Sequence, residues 1–204
     1  ASSVSAQQAP IVMSLPGSTR ALALGNSYPI GSTDADAIFY NPVLLMSARG
    51  QSVSLQRYGG SGTLATFSSA IDANVGFGVQ VLDYSIAPSA AYLLGSPVTL
   101  GDSGGTPASE AVAVIGYART IKGIRLGAAA KWAQHFGAAT SEGAAAFDVG
   151  AMASPISWLT LALAGRNLGG DFGFAGQEFD LPQNVVLNAM TRSRVVGALD
   201  AFAT

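Results

Sequence analysis

The stretch DADAIFYNP, from Asp34 to Pro42, holds the residues of this sequence that are best suited to chemistry. Its two carboxylates lie one residue apart, so Asp34 and Asp36 could ligate a metal ion, act as a general acid and base, or stabilise a turn. A calcium ion takes about six to eight oxygen ligands, and this stretch lacks the further acidic and glycine positions of a calcium-binding loop. We therefore predict a structural role for the pair and no bound metal.

Groups for nucleophilic catalysis are scarce in the rest of the chain. His135 is the single histidine and cysteine is absent, while a serine nucleophile needs an adjacent base. Ser69, Ser141 and Asn167 could accompany His135 in a lipase of the barrel type, but their placement is too loose to predict a triad. The string GDSGG at Gly101–Gly105 imitates a serine-protease active site without the matching histidine and aspartate contexts. We predict no catalytic residues, no enzyme activity and no cofactor.

The composition indicates an exterior that is shielded from water. Of the 204 residues, 49% are hydrophobic and 11% are charged, whereas a typical soluble domain carries about 25% charged residues. No apolar run approaches the roughly 18 residues of a membrane-spanning helix, so contact with lipid would have to come from strands. The net charge of −2 and the scattered Lys and Arg predict no binding to nucleic acid.

From about residue 51 onward the hydrophobic period is two, which is typical of strands. One face of these strands is continuously apolar, and the other is rich in Gly, Ala and Thr. In the stretches IRLGAAAKW, AAFDVGA and LTLALAGR the charges fall on the second face, at Arg125, Lys131, Asp148 and Arg166. This pattern predicts lipid outside and a narrow lumen lined by these four residues. A soluble ligand-binding barrel or sandwich with its apolar face inward is the alternative, because alternation alone does not say which face is outside.

The connections between the predicted strands alternate in length. The strands are predicted at 51–57, 63–70, 74–84, 110–119, 124–135, 143–153, 157–166, 183–193 and 195–204. Tight connections fall at 71–73, 120–123, 154–156 and 194, and long ones at 58–62, 85–109, 137–142 and 167–183. Bacterial outer-membrane barrels gather short turns at one rim and long loops at the other, and they use even strand numbers. Since about nine strands are predicted and the last stops in mid-strand, we expect an incomplete barrel in residues 51–204.

The region before residue 51 has no such period and is rich in small and turn-forming residues. Within residues 1–6, Val4-Ser5-Ala6 is typical of the end of a signal peptide, and a flexible polar terminus is the alternative. Residues Leu22–Gly25 predict a short helical turn. Asn41 and Pro42 predict a turn that caps a short helix over Val43–Met46.

The segment STRALALGNSYPIGSTDADAIFYNPVLL resembles the N-terminal signature of an outer-membrane family that includes PorV/PorQ-like proteins and, more distantly, FadL-type transporters of long-chain fatty acids. The matching positions are Arg20, Ala21, Leu22, Leu24, Gly25, Tyr28, Asp34, Ala35, Ala37, Tyr40, Asn41, Pro42 and Leu44 or Leu45. The later segment FDLPQNVVLNAM resembles the family's Leu-Pro segment that opens a strand.

The resemblance implies that residues 7–50 form a hatch, or plug, folded into the mouth of a barrel. The residues of the hatch motif are Arg20, Gly25, Asp34, Asp36, Tyr40, Asn41 and Pro42. Because charges in a narrow lumen need partners, Asp34 and Asp36 would either accept hydrogen bonds from hatch backbone N–H groups or pair with cations of the wall. The candidate cations are Arg125, Lys131 and Arg166.

We therefore expect an all-β fold, an antiparallel transmembrane β-barrel with an N-terminal hatch, in contact with lipid of the bacterial outer membrane. The expected function is uptake, transport or binding of hydrophobic small molecules, which predicts a continuous apolar cavity behind Asp34–Pro42. The alternative is a PorV-like scaffold or shuttle for secreted or surface proteins, which predicts a blocked lumen and partner-facing loops at 85–109 and 167–183. In the second loop, Phe172, Phe174 and Phe179 either bind a partner or fold back on their own loop.

Overall fold

The computed structural model describes residues 10–59, 62–86, 106–137, 141–174, 177–192 and 202–203. Residues 10–50, here called the N-terminal segment, contain one short helix, α1 (Thr19–Ala23), and three 3-10 helices at Ile11–Met13, Ala35–Phe39 and Pro42–Met46. Among the described residues, no helix is long and apolar enough to cross a membrane. Nearly all of the remaining described chain is strand, so the predicted all-β class is confirmed.

One antiparallel sheet of nine strands follows in the order β1-β2-β3-β4-β5-β6-β7-β10-β11, and β8 and β9 form a separate hairpin. The strand bounds are β1 Gln51–Tyr58, β2 Gly62–Ala70, β3 Val75–Ile86, β4 Thr106–Ile121, β5 Ile124–Phe136, β6 Ser141–Ile156, β7 Leu159–Gly169, β8 Asp171–Phe174, β9 Gln177–Asp180, β10 Asn184–Arg192 and β11 Phe202–Ala203. Each strand pairs with its neighbour in the chain, apart from the step over the hairpin. The sheet curls around the N-terminal segment as half of a barrel wall.

Eight of the nine predicted strands are confirmed within a few residues of their bounds. The largest difference is at β4, which begins at Thr106 instead of 110 because it pairs with the full length of β3. The ninth predicted strand, 195–204, is confirmed only at Phe202–Ala203, which pairs with the end of β10. The hairpin of β8 and β9 was not predicted, because its glycine-rich sequence has no clear period.

Several sequence predictions lie outside the described residues. These are the signal-peptide remnant at 1–6, the GDSGG string, most of the 85–109 loop, part of the 137–142 loop, and most of the ninth strand.

The apolar face of the sheet points away from the N-terminal segment and is exposed. Large hydrophobic side chains on this face include Val53, Leu55, Val79, Val81, Ile115, Leu126, Trp132, Phe147, Val149, Leu161, Leu163, Val185 and Leu187. Most inward positions between them are small or polar, and the buried ones include Thr66, Ala129, Lys131, Asp148, Ala162 and Arg166. Larger apolar side chains are also buried on this face, at Leu64, Leu82, Val112, Val114 and Met152. In the described sheet the alternative arrangement, with the apolar face inward, is not found.

The N-terminal segment supplies the large side chains of the core. Ile38, Phe39 and Leu45 are buried together with the small inward residues of β4 to β7, in one hydrophobic cluster. The predicted helical turns are confirmed: Ser18 caps α1 by accepting a hydrogen bond from Ala21 N–H, and Asn41 caps the Pro42–Met46 helix through Val43 N–H. Both caps satisfy backbone donors that would otherwise be buried without a partner.

Glycines on the inward face let the backbone of the N-terminal segment approach the sheet closely. A Cβ built on Gly127 of β5 would clash with the backbone of Pro42 and Val43, and one on Gly150 of β6 would lie 3.0 Å from Asn41 Cγ. Phe39 occupies the corresponding space over Gly78. A larger residue would force the segment off the sheet, because the atoms it meets at Gly127 belong to backbone.

We expect Gly127→Ala to lower the free energy of unfolding by about 1–3 kcal/mol, the usual cost of overpacking a filled core. Urea denaturation followed by tryptophan fluorescence measures this change. Gly170→Ala is the matched control, because a Cβ at Gly170 meets no atom within 4 Å, and its midpoint should stay near that of the wild type. Equal midpoints for the two variants would contradict the close contact between the segment and β5.

Candidate functional site

The candidate site is the contact between the N-terminal segment and the inward face of the sheet. Within it, Asp34 and Asp36 have partners from their own segment. Arg20 Nη1 lies 2.5 Å from Asp34 Oδ2, in an ion pair whose side chains are 54% and 44% exposed. The Tyr28 hydroxyl donates a hydrogen bond to Oδ1 of the buried Asp36 at 2.6 Å. Both carboxylates therefore stabilise the fold of the segment itself, as the structural reading of this stretch predicted.

The more detailed predictions for the two carboxylates are wrong. The sequence prediction offered backbone N–H groups of the segment as one set of partners. It offered the sheet cations as the other set, namely Arg125, Lys131 and Arg166. Among the described residues, side-chain donors close in sequence occupy both carboxylates instead, because the turn between α1 and the Ala35–Phe39 helix brings Arg20, Tyr28 and Ser32 around them.

Tyr40 and Asn41 connect the segment to its surroundings. The rings of Tyr28 and Tyr40 stack with their centroids 4.7 Å apart, and Gly17 N–H donates to the Tyr40 hydroxyl at 2.7 Å. Burial raises the pKa of Tyr40 to about 12, although the bond from Gly17 opposes the shift. Asn41 donates from Nδ2 to the carbonyl of Leu163 on β7 at 3.3 Å. Its role as a cap and its bond to β7 place the following residue, Pro42, fully inside the core.

Arg20 and Gly25 of the hatch motif lie at the edge of the segment. Arg20 belongs to α1, and Gly25 follows that helix with a φ of 66°, a left-handed conformation that glycine adopts without strain. Asn26 continues the turn with a φ of 65°. The seven motif residues thus cap helices, form turns, or make hydrogen bonds and ion pairs within the N-terminal segment.

Lys131 and Asp148 form a buried ion pair on the concave side of the sheet. Lys131 Nζ lies 2.7 Å from Asp148 Oδ2, and the two side chains are 4% and 0% exposed. Asn167 completes the group, because its Oδ1 accepts from Lys131 at 2.9 Å and its backbone N–H donates to Asp148 Oδ1 at 2.8 Å. Asn167 also donates to the carbonyl of Pro182. Three strands and the segment before β10 therefore meet at one buried polar group.

A break in strand register positions the buried polar group of Lys131, Asp148 and Asn167. The pairing of β6 with β7 shifts between Phe147 and Val149, and Asn167 has a φ of 55°. The bulge turns Asp148 and Asn167 toward each other, which is a known use of bulges. Next to them, the guanidinium of Arg166 lies over the ring of Tyr40 at 5.1 Å from its centroid. This cation–π contact connects the wall to the N-terminal segment.

Arg125 lies apart from the other three predicted lining residues. Lys131, Asp148 and Arg166 are buried under the N-terminal segment, whereas Arg125 is exposed at the start of β5. It borders a cavity of about 410 Å³ between the segment and the sheet. The structure thus brings three of the four residues together and places the fourth at the short-turn end of the strands.

A second polar cluster, which the sequence did not predict, closes the opposite end. Glu110 is buried and accepts hydrogen bonds from Val12 N–H at 2.8 Å and from the Tyr84 hydroxyl at 2.9 Å. His135 Nδ1 lies 3.6 Å from the same carboxylate. His135 lies near the end of β5 and is 2% exposed. The missed signal was the period-two placement of Glu110 and His135 on the inward face.

The aromatic loop folds back on the protein. Phe172 of β8 is 1% exposed and packs with Val12, Met13 and Leu181 in the second hydrophobic cluster. Phe179 of β9 is partly buried, and the side chain of Phe174 lies outside the described residues. Of the two predictions for this loop, the structure favours the inward-folding one at Phe172, since an anchored ring is not available to a partner.

Groups that could carry catalysis or bind a metal are dispersed. The described residues contain no group of three or more His, Asp or Glu side chains that could hold a metal ion. Ser69 pairs with Gln51 at the start of β1, Ser141 pairs with Phe136, and Asn167 is engaged with Lys131 and Asp148. Asn167 therefore serves the buried polar group, while the predicted absence of catalysis remains a prediction.

Comparison with known proteins adds no family assignment. No protein-family model matches the chain, and the curated protein sequences contain no significant match to it. The resemblance to PorV/PorQ-like and FadL-type proteins therefore remains a prediction from the motif. Function has to be inferred from the geometry of the fold and of its site.

The buried ion pair of Lys131 and Asp148 leads to a prediction for the free energy of unfolding. We expect Lys131→Met to lower the free energy of unfolding by about 3–5 kcal/mol, because it leaves the buried Asp148 carboxylate without its cation. The double variant Lys131→Met/Asp148→Leu should recover much of that loss, since it removes both charges. Urea denaturation of the single and double variants measures the coupling between the two residues.

The exposed ion pair is the control for this experiment. Asp34→Ala should cost no more than about 1 kcal/mol, because its pair with Arg20 is about half exposed and water screens it. A loss on Lys131→Met no larger than that of Asp34→Ala would show that the interior group does not contribute as the structure implies.

Proposed function

We propose that this chain forms part of the wall and the internal plug of a bacterial outer-membrane β-barrel. The barrel transports hydrophobic small molecules and does not catalyse a reaction. The observation that supports the proposal most strongly is the exposed apolar face of the sheet. Monomeric soluble proteins rarely expose a continuous apolar patch of this extent. Lipid is the partner that such a face fits, with the polar and charged side chains turned inward.

The dimensions of the strands fit a bilayer. Strands β3 to β7 are 11 to 16 residues long, whereas a tilted membrane strand needs about 9–11. The outward-facing charges lie toward the strand ends, at Arg57, Asp83 and Arg119, with apolar residues between them. Exposed aromatic rings also lie toward both ends, with Trp132 near the long connections and Trp158 in the turn after β6. Such belts are typical of membrane–water interfaces.

The N-terminal segment acts as a plug in this proposal. Its side chains pack against the sheet behind Asp34–Pro42, and a small cavity of about 30 Å³ lies beside Tyr40 and Asn41. Passage of a hydrophobic molecule therefore requires the segment to move away from the sheet. The exposed ion pair of Arg20 and Asp34 holds the segment's own shape, whereas its contacts with the wall are mainly apolar.

A second candidate function is a membrane scaffold for secreted or surface proteins. The filled interior favours it, because a scaffold has no need of an open lumen. The burial of Phe172 weakens it, since this ring was one of three proposed partner contacts. The two functions differ in whether the plug has to move.

Lipid contact is tested at Val149, an outward residue of β6 that is 48% exposed. In lipid vesicles, Val149→Arg should lower the free energy of unfolding by about 2–4 kcal/mol if the residue lies near the bilayer midplane. At an ordinary water-exposed site the same change would stay within about 0.5 kcal/mol. Heat-dependent migration in electrophoresis and recovery in outer-membrane fractions should accompany this result. A variant as stable as the wild type in vesicles would oppose the membrane proposal.

Plug movement is tested by locking the segment to the wall. The chain has no cysteine, so Asn41→Cys/Gly150→Cys introduces the only thiols. Asn41 Cγ lies 3.0 Å from the position of a Cβ on Gly150, which places the two sulfurs within bonding reach. We expect oxidation to stop uptake of the fluorescent probe phenylnaphthylamine by cells that carry the protein, and a reductant to restore it.

The two single-cysteine variants are the controls for the lock, because each carries the packing change without the crosslink. Full uptake by the oxidised double variant would exclude gating by this segment. Absence of probe uptake in every form, including the wild type, would favour the scaffold.

A further inference from the structure

The short-turn end of the sheet carries a cavity that the proposed transport function does not use. It has a volume of about 410 Å³ and lies between the N-terminal segment and strands β5, β6, β7 and β10. This volume is within the range of sites for small molecules, about 300–1,000 Å³. Ser47 contributes from the segment, while Arg125, Ser154 and Thr160 contribute from the sheet. Met152 and Met190 form its apolar wall.

The charge of this cavity is positive. Arg125 is the one charged residue among those that line it, and the lining contains no carboxylate. Within the described residues Arg125 forms no ion pair. The other inward cations differ, since Lys131 pairs with Asp148 and Arg166 lies over Tyr40. Arg125 is thus the inward cation that remains able to bind a ligand.

The surroundings increase the attraction for anions. Lys122 lies in the turn before β5, and Arg49 lies just before β1 at the same end of the sheet. The acidic residues described at this end include Asp72 in the β2–β3 turn and Asp34, whose backbone bridges to Arg49 and whose side chain pairs with Arg20. Neither carboxylate lines the cavity, so the charge of the lining itself is positive and favours ligands of negative charge.

We propose that this cavity binds a small oxyanion, a phosphate monoester or a carboxylate, through the guanidinium of Arg125. Arginine presents paired N–H donors that match the oxygens of either group. The hydroxyls of Ser154 and Thr160 lie 2.9 Å apart and share one hydrogen bond, so one of the two protons is left for the ligand. The two methionines accommodate a short carbon skeleton beside the anion.

This proposal stands on the geometry of the short-turn end and does not depend on the transport of hydrophobic molecules. A protein that fails the plug-locking experiment can still bind an oxyanion here. The converse also holds, because the space behind Asp34–Pro42 is separate from the cavity.

Isothermal titration calorimetry of the purified chain in a nonionic detergent tests the proposal. Glycerol 3-phosphate and succinate are the anionic probes. Glycerol, which lacks the phosphate, is the neutral control for glycerol 3-phosphate. We expect both anions to bind the wild type and glycerol not to bind. Arg125→Gln should weaken the binding of both anions by at least about tenfold, since a charge-assisted contact is lost.

Arg119→Gln is the matched control variant. Arg119 lies on the neighbouring strand at the same end, opposite Leu126, but on the outward face. The Arg119→Gln variant should bind both anions as tightly as the wild type does. Equal urea midpoints for the two variants and the wild type establish that a loss of binding does not come from unfolding.

Three results would overturn the proposal: unchanged affinity in Arg125→Gln, equal binding of glycerol and glycerol 3-phosphate, or no binding of either anion at millimolar concentration. The source of the oxyanion is a separate arm of the experiment. If phosphatidic acid in the micelles, whose headgroup is a phosphate monoester, lowers the affinity for glycerol 3-phosphate, the site takes a lipid headgroup. If the affinity stays unchanged, it takes a free oxyanion. Either outcome supports the site.

Discussion

The contact between the N-terminal segment and a sheet face lined by small residues is the constraint on which the rest of the structure depends. The sheet directs most of its large apolar side chains outward, so its inward face supplies only part of a core. Phe39, Leu45 and Ile38 of the segment supply the missing volume. Glycines at positions such as 127 and 150 let the segment's backbone come close enough to do so. Burial of apolar area is the main driving force of folding. The segment contributes about half of the buried hydrophobic residues in the two core clusters, so folding of the sheet depends on it.

The same division explains where the charges lie. An inward face that is covered by the segment has little water, so a charge placed there needs a partner. Lys131, Asp148 and Asn167 satisfy one another around a bulge, and Arg166 uses the ring of Tyr40. A buried pair of this kind adds little net stability against an apolar replacement. Its contribution is to specify register, because a one-residue slip of β6 would turn Asp148 to the outward face.

The two ends of the sheet differ in a way that bears on function. At the end of the long connections, Phe172 and the cluster around Glu110 hold the start of the segment in place. At the end of the short turns, the segment leaves a cavity with a cation beside it. The N-terminal segment thus has several contacts with the wall at one end and borders an open polar space at the other. The proposed plug therefore has an asymmetric attachment to the wall.

The sequence by itself determined strands β1 to β7 and β10 and the alternation of their residues between two faces, because a period of two is a local property of an extended chain. It did not predict the hairpin of β8 and β9. It also determined the caps at Asn41 and the turn after α1, which follow from short-range hydrogen bonds and from the conformational freedom of Gly25. Only the tertiary structure decided which face is outward. It also decided that Asp34 and Asp36 pair with Arg20 and Tyr28, and that His135 is buried. These outcomes depend on which segment covers which face, and the long-range packing that sets this leaves no periodic trace in the chain.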